Sequence, residues 1–256
     1  MRGWWREIAG LVLPVACGGC GRARTELCAR CREELAGPGP RRVRPRPEPA
    51  GLPVVHASAP YADAVRAVLL AHKERGALSL AGPLGSALAG AVEAAAGRSG
   101  ASGTGPLLLV PVPSSRRSVR ARGHDPTRRI ALAAAGRLRC RGRAARVIPV
   151  LRQRRAVADQ SGLGARARFA NLAGALEVVA GGARLMAGGQ VVLVDDLMTT
   201  GASLREAARA LRAVHPPFIP GQHGGTAENG ATESGFVQPA AAVVACSPSS
   251  FELNRN

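Results

Sequence analysis

Lysine is nearly missing from this 256-residue chain: 34 of its 35 basic residues are arginine, and Lys73 stands alone. A P-loop nucleotide hydrolase needs a glycine-rich loop ending in lysine and serine or threonine. Lys73 lies instead in HKERG, which excludes an ordinary enzyme of that class. Aromatic side chains make up only 3% of the chain, among them Trp4, Trp5, Tyr61 and Phe169, too few for a platform that stacks single-stranded bases. Long apolar runs are also missing. Ile8 to Ala16 covers nine residues and contains Pro14, short of a membrane span. With Arg2 and Arg6 before it and Cys17 after it, that stretch imitates an export or lipoprotein signal. Glu7 and Pro14 oppose that reading, so the expectation is a cytoplasmic protein with no transmembrane segment, reaching membranes only through partners.

The charge that is present is strongly positive, +18 formally. Arginine forks suit phosphates and cannot be neutralised by a pKa shift. The same charge attracts nucleic acid or anionic lipid without specificity. Compositional bias toward Arg, Ala and Gly explains much of the excess equally well, so charge alone assigns no function.

Four of the six cysteines form two knuckles, Cys17-Gly-Gly-Cys20 and Cys28-Ala-Arg-Cys31. Such a pair can place four thiolates tetrahedrally around one structural zinc ion. Redox pairs and two framework disulfides compete with that reading, but duplication at short spacing favours zinc. The knuckles lack enough apolar residues for a core, so metal binding is expected to supply most of their folding energy. Cys140 and Cys246 are expected as buried apolar residues.

The organisation expected is a double zinc-ribbon-like module over residues 1–37 and a Pro/Arg-rich linker over 38–55, which opens with PGPRRVRPRPEPAGLP (Pro38 to Pro53). The main domain, 56–256, carries an exposed insertion near 216–239. Within it, Tyr61–Lys73 and Leu80–Ala95 have helical spacing and Leu107–Val112 reads as a strand. Ser114, Ser115, Arg116 and Arg117 follow that strand, as donors suited to a pyrophosphate. Arg120 and Arg122 suit a solvated helix face, and His124 either meets substrate or caps a helix. Arg146–Leu151 reads as a third strand. The Gly/Arg-rich RQRRAVADQSGLGARARFANLAGAL after it suits a cover whose closure brings Arg154 or Arg155 toward a leaving group, with Gln160 as a further polar contact. Ala240–Ala245 is expected as an edge strand. His215 and His223 lack a metal-ligand pattern.

The most telling stretch is VVLVDDLMTTGASL, Val191 to Leu204. Val191–Val194 read as a buried parallel strand followed at once by Asp195 and Asp196. Ligands of open α/β sheets bind beyond the carboxyl ends of strands, where both acids can meet a diol or a metal. Thr199, Thr200, Gly201, Ala202 and Ser203 then offer hydroxyls, amides and close approach, and a helix from about Ala202 to Val214 would aim its free N–H groups at a phosphate. A strand end with a simple helix cap is the bland alternative.

This stretch resembles the phosphoribosyl pyrophosphate (PRPP) motif of type I phosphoribosyltransferases. Together with the paired knuckles, YADAVRAVLLAHKERG, VPVPSSRRSVRARGHD and QSGLGARARFANLAGAL, it resembles the ComF family, phosphoribosyltransferase-like proteins associated with DNA uptake in natural competence. HKERG and RGHDP depart from that pattern, with histidines where aromatic or apolar residues are more usual. The resemblance implies an α/β fold of the type I phosphoribosyltransferase class: an open, mostly parallel sheet flanked by helices and preceded by the four-cysteine module. It implies that Asp195 and Asp196 hold ribose hydroxyls and that residues 199–203 wrap the 5-phosphate. Mg2+ accompanies the pyrophosphate, and Lys73, Arg116 and Arg117 offset its charge. The expected activity is ribosyl 5-phosphate transfer to an unidentified nitrogen acceptor. The rival is a non-catalytic accessory that binds single-stranded DNA or the DNA-uptake machinery, and a homodimer is a further expectation.

Overall fold

Continuous apolar runs, not alternating ones, build the centre of the sheet. The computed structural model describes residues 15–97, 105–155, 165–214 and 239–252. Its six-stranded sheet contains β1 (Arg41–Val43), β2 (Val55–Pro60), β3 (Leu107–Pro111), β4 (Ala145–Val147), β7 (Gln190–Met198) and β8 (Ala240–Cys246), in the order β1-β2-β8-β7-β3-β4. Every neighbouring pair is parallel except β1 with β2. A separate antiparallel hairpin pairs β5 (Leu151–Gln153) with β6 (Leu176–Val178).

Helices cover both faces. On one face lie α1 (Ala29–Ala36), α2 (Asp63–Glu74), α3 (Ala81–Gly97) and α5 (Pro126–Cys140), packed on Leu107, Leu109, Val192 and Val194. On the other, α8 (Ala202–Val214) packs on Leu108, Val110 and Leu193, together with the hairpin, α7 (Gly182–Met186) and α9 (Pro248–Glu252). Short α4 (Arg116–Arg122) and α6 (Ala165–Leu172) complete the helices described. The odd and even residues of β3 thus serve different layers, as expected of a strand buried on both sides.

Three expectations from sequence change here. Ala240–Ala245 is not an edge strand: β8 lies between β2 and β7, and all seven of its residues are buried. Its alanines and valines let helices approach both faces. The edge is taken by β1, drawn from the stretch read as a linker, and Val43 on it is 1% exposed. The run Arg146–Leu151 is two strands, because Pro149 removes a backbone donor and separates β4, in the main sheet, from β5 in the hairpin. Finally, Leu78–Gly97 is long and apolar enough to cross a membrane by length and composition. Leu84, Leu88, Ala91 and Val92 on it are fully buried between the sheet and α5, and that core explains its apolarity.

The cysteine module shares the main core. Cys17, Leu27, Cys28, Cys31 and Leu35 belong to the same apolar cluster as α2 and α3. Gly18 and Gly19 permit this approach: a Cβ at Gly18 would stand 2.7 Å from Leu80 Cδ1, and one at Gly19 2.7 Å from Cys31 Sγ. The hairpin is held to α8 by Glu206, which is 2% exposed and accepts the Leu176 N–H at 3.0 Å. Arg209 pairs with Glu206 at 2.8 Å and donates to the Leu176 carbonyl at 2.8 Å, so the pair is satisfied on both sides.

Because Leu35 is 1% exposed within this shared core, Leu35→Ala is expected to destabilise the whole α/β domain by roughly 2–5 kcal/mol. Thermal unfolding followed by circular dichroism checks this. A main transition left in place, with loss of a separate small one, would show that the module is energetically independent.

Candidate anion-binding site and cysteine centre

In the connection from β3 to β4, α5 packs on one face, whereas α8, which follows β7, packs on the other. Adjacent parallel strands whose connections part in this way open a crevice at their carboxyl ends. Pairing of β7 with β3 runs from Leu107↔Gln190 to Pro111↔Val194 and then stops, while pairing with β8 continues to Met198↔Cys246. The strand therefore does not end at Val194, as the sequence suggested. Asp195 and Asp196 lie within it, secured along β8 and released on the β3 side.

Both carboxylates meet groups from the same helical layer. Lys73, near the end of α2, donates from Nζ to Asp196 Oδ2 at 2.7 Å. Thr127, in the first turn of α5, donates to Asp195 Oδ1 at 3.4 Å, and the Asp196 N–H donates to the same oxygen at 2.9 Å. Burial, and next the charge of Asp196, push the Asp195 carboxyl well above its ordinary range. Burial pushes Asp196 in the same direction, but the Lys73 ammonium outweighs it and holds Asp196 below its ordinary value. Lys73 is raised in turn, chiefly by Asp196. One lysine thus faces two crowded acids.

His72, beside Lys73, is fully buried, and burial lowers its pKa. Its ring lies 5.8 Å from that of His124 in an edge-on arrangement. The histidines of HKERG and RGHDP therefore pack against each other. Arg122 anchors the same region, holding Glu74 of α2 through two bonds of 3.0 and 2.9 Å.

The loop from Leu197 into α8 forms a small open cleft lined by Asp195, Thr199, Thr200, Gly201, Ala202 and Ser203. Thr200 Oγ1 accepts the Ala202 N–H at 3.4 Å. Gly201 has φ +77°, and a Cβ there would lie 2.9 Å from Leu52 Cδ1, so only glycine suits this turn. The Pro/Arg-rich stretch thereby backs the loop, and its Ala50 carbonyl accepts from Arg205 Nε at 2.9 Å.

Other expected site residues are more dispersed. Ser115 caps α4 by accepting the Ser118 N–H at 3.0 Å, and Ser114 donates to Asp125 at 3.5 Å. Arg116 and Arg117 are exposed on that helix. Arg154 is exposed at the end of the hairpin strand, whereas Arg155 donates to the carbonyls of Asn171 and Ala173, both at 2.9 Å. That guanidinium closes the end of α6 and does not point at the acids as free charge. Asp125, not His124, caps α5, accepting from the Arg128 N–H at 3.1 Å. Gln160, His215, His223 and most of the proposed insertion lie outside the described residues. Sequence reasoning missed Thr127 and also Arg168, which donates from Nη1 to Thr199 Oγ1 at 3.0 Å. Nothing set Arg168 apart in an arginine-rich background.

The sulfur atoms of Cys17, Cys20, Cys28 and Cys31 all lie within 4.8 Å of one another. Cys20 and Cys28 are 3.6 Å apart, far beyond a disulfide and close to the sulfur–sulfur edge of about 3.8 Å that tetrahedral zinc–thiolate bonds imply. Burial opposes ionisation of Cys17, yet N–H groups of Cys20, Cys28 and Gly19 pull its thiol down to about 6. Burial and the neighbouring sulfurs push Cys31 up. The set fits a structural ion with four sulfur ligands. Cys246 is buried as expected, its thiol pushed up to about 12, whereas Cys140 is exposed because it falls on the outer side of the last turn of α5.

Compared with protein-family models and with curated proteins, the chain has no significant match.

Two measurements follow from this geometry. The purified chain is expected to carry one zinc ion, released on thiol modification and read by a colorimetric chelator; Cys17→Ser plus Cys31→Ser should carry none and melt at lower temperature. The acids should separate in pH-dependent stability. A raised Asp195 weakens the fold as pH climbs above the ordinary carboxylate value through its folded pKa. A lowered Asp196 contributes stability above the ordinary value and loses it as pH falls through its folded pKa. At neutral pH Asp195→Asn should therefore melt about 2–6 °C higher than the parent and Asp196→Asn lower, with both differences shrinking toward about pH 3.

Proposed function

We propose that this protein is a ComF-type member of the type I phosphoribosyltransferase class, which binds PRPP in the β7–α8 crevice and transfers its ribosyl 5-phosphate to a nitrogen acceptor with release of pyrophosphate. The observation that carries this reading is the acid pair at the release point of β7, joined without a break to a glycine turn and a helix N-terminus. Carboxylates accept from vicinal hydroxyls, while amides and the Thr199, Thr200 and Ser203 hydroxyls donate to a phosphate ester. Lys73 has three donors, and its bond to Asp196 leaves two for pyrophosphate oxygens. Mg2+, when bound beside Asp195 and Asp196, would offset negative charge on the pyrophosphate.

In this mechanism the bond from the anomeric carbon to pyrophosphate breaks as the acceptor nitrogen arrives, and positive charge develops on the ribosyl ring. No protein nucleophile is required. Asp195 and Asp196 orient the ring and favour that charge, while Lys73 stabilises the departing pyrophosphate. The exposed arginines of α4 and α5, including Arg116, Arg117, Arg128 and Arg129, favour a second reading in which the same pocket serves an accessory that holds single-stranded DNA.

Calorimetric titration with PRPP and Mg2+, alongside pyrophosphate release across a panel of nitrogen acceptors, tests the proposal. The double variant Asp195→Asn, Asp196→Asn is expected to lose PRPP affinity by about a hundredfold or more. Equal affinity in parent and variant would overturn the site. Retention of single-stranded DNA in moderate salt with no turnover on any acceptor would favour the accessory role.

A further inference from the structure

The loop that lines the cleft, Thr199 to Ser203, contains no basic side chain, although a terminal phosphate ester brings up to two negative charges. We infer that Arg168 supplies the missing charge: it is a phosphate-binding side chain delivered to the loop from α6. This rests on the PRPP reading above and goes beyond it by placing a cation at the ester end of the ligand.

Three observations bear on Arg168. Its Nη1 donates to Thr199 Oγ1 at 3.0 Å, which places the guanidinium at the rim of the cleft. Its Nε is buried and has no hydrogen-bond partner among the described residues. No carboxylate forms a salt bridge with it among those residues. A guanidinium has five N–H donors and cannot shed its charge, so a single neutral hydroxyl is a poor match for it. Phosphate oxygens in the cleft would accept from the remaining donors, with charge-assisted bonds shorter and stronger than the one to threonine.

The fold keeps Arg168 in place without the ligand. Next to it, Phe169 lies under the Arg205 guanidinium of α8 at 5.8 Å, and β6, the hairpin strand that follows α6, is fastened to α8 through Glu206. Arg205 itself donates to Ala50 and is committed elsewhere. The two cations of the site therefore come from opposite layers of the sheet. Lys73 reaches Asp196 from the α2 side, and Arg168 reaches Thr199 from the α8 side. That arrangement suits a pentose phosphorylated at both ends, with hydroxyls between.

Titration of the full-length chain with ribose 5-phosphate and, separately, with inorganic pyrophosphate and Mg2+ tests this assignment. Arg168→Gln should bind ribose 5-phosphate about tenfold or more weakly, Arg168→Lys should fall between it and the parent, and pyrophosphate affinity should change less than about twofold in both. Arg168→Lys, which keeps the charge but loses the planar fork, serves if Arg168→Gln fails to fold. Parent-like ribose 5-phosphate binding in Arg168→Gln or, should that variant fail to fold, in Arg168→Lys would overturn the role of Arg168 and leave the PRPP site standing. Equal loss of both ligands would overturn it too, as the mark of a merely structural residue. A parent chain that binds neither probe would remove the PRPP reading and this inference with it.

Discussion

The site depends on a mismatch in strand length. β7 continues along β8 for four residues after its pairing with β3 has stopped at Val194. A strand secured on both sides would have no opening at which to present polar groups, and an unsecured loop would not hold two carboxylates at a fixed separation. Half-secured, the backbone of Asp195 and Asp196 is held in place while Asp195 lines the cleft and Asp196 lies buried against Lys73. The electrostatic consequence is visible in the acids themselves, one raised by burial and by its neighbour, the other held down by Lys73. A ligand that donates hydroxyls or brings cations relieves that repulsion, so the crowding of the two acids favours binding.

The segments before the main domain are parts of this arrangement. The cysteine knuckles pack through Gly18, Gly19, Cys31 and Leu35 onto α2 and α3, the layer that carries Lys73. The Pro/Arg-rich stretch adds an edge strand and sets Leu52 against Gly201 in the loop that lines the cleft. A metal bound by the four thiolates would therefore stabilise the helical layer that supplies one cation of the site. The hairpin does the corresponding work on the other layer, where Glu206 and Arg209 fasten it to α8 and so set the position of α6.

Much of the central sheet was legible in the chain because its signals are local. Uninterrupted apolar runs marked β3, β7 and β8, helical spacing marked α2 and α3, and Thr199 to Ser203 marked the start of α8 to the residue. Errors arose where partners decide the outcome. AAAVVAC reads the same at an edge or in the centre of a sheet, and its place between β2 and β7 comes from long-range pairing. The proline-rich stretch has the composition of a spacer, yet three of its residues find a partner in β2. Pro149 was visible, but its effect, the transfer of the chain from one sheet to another, was not.

By itself the order of residues determined the chemistry on offer: two adjacent acids before a hydroxyl- and glycine-rich turn, four thiols in two knuckles, and one lysine. These are properties of side chains and short spacings, which survive without knowledge of what lies far away in the chain. Folding decided which of them meet. Lys73 and Asp196 are 123 residues apart in sequence and 2.7 Å apart in space. Arg168 was selected from among many arginines because hairpin packing brings its helix to Thr199. Such pairings are set by the crossing of strands and the layers that cover them, and no local pattern of charge or hydropathy encodes the distance between two segments that meet only across the sheet.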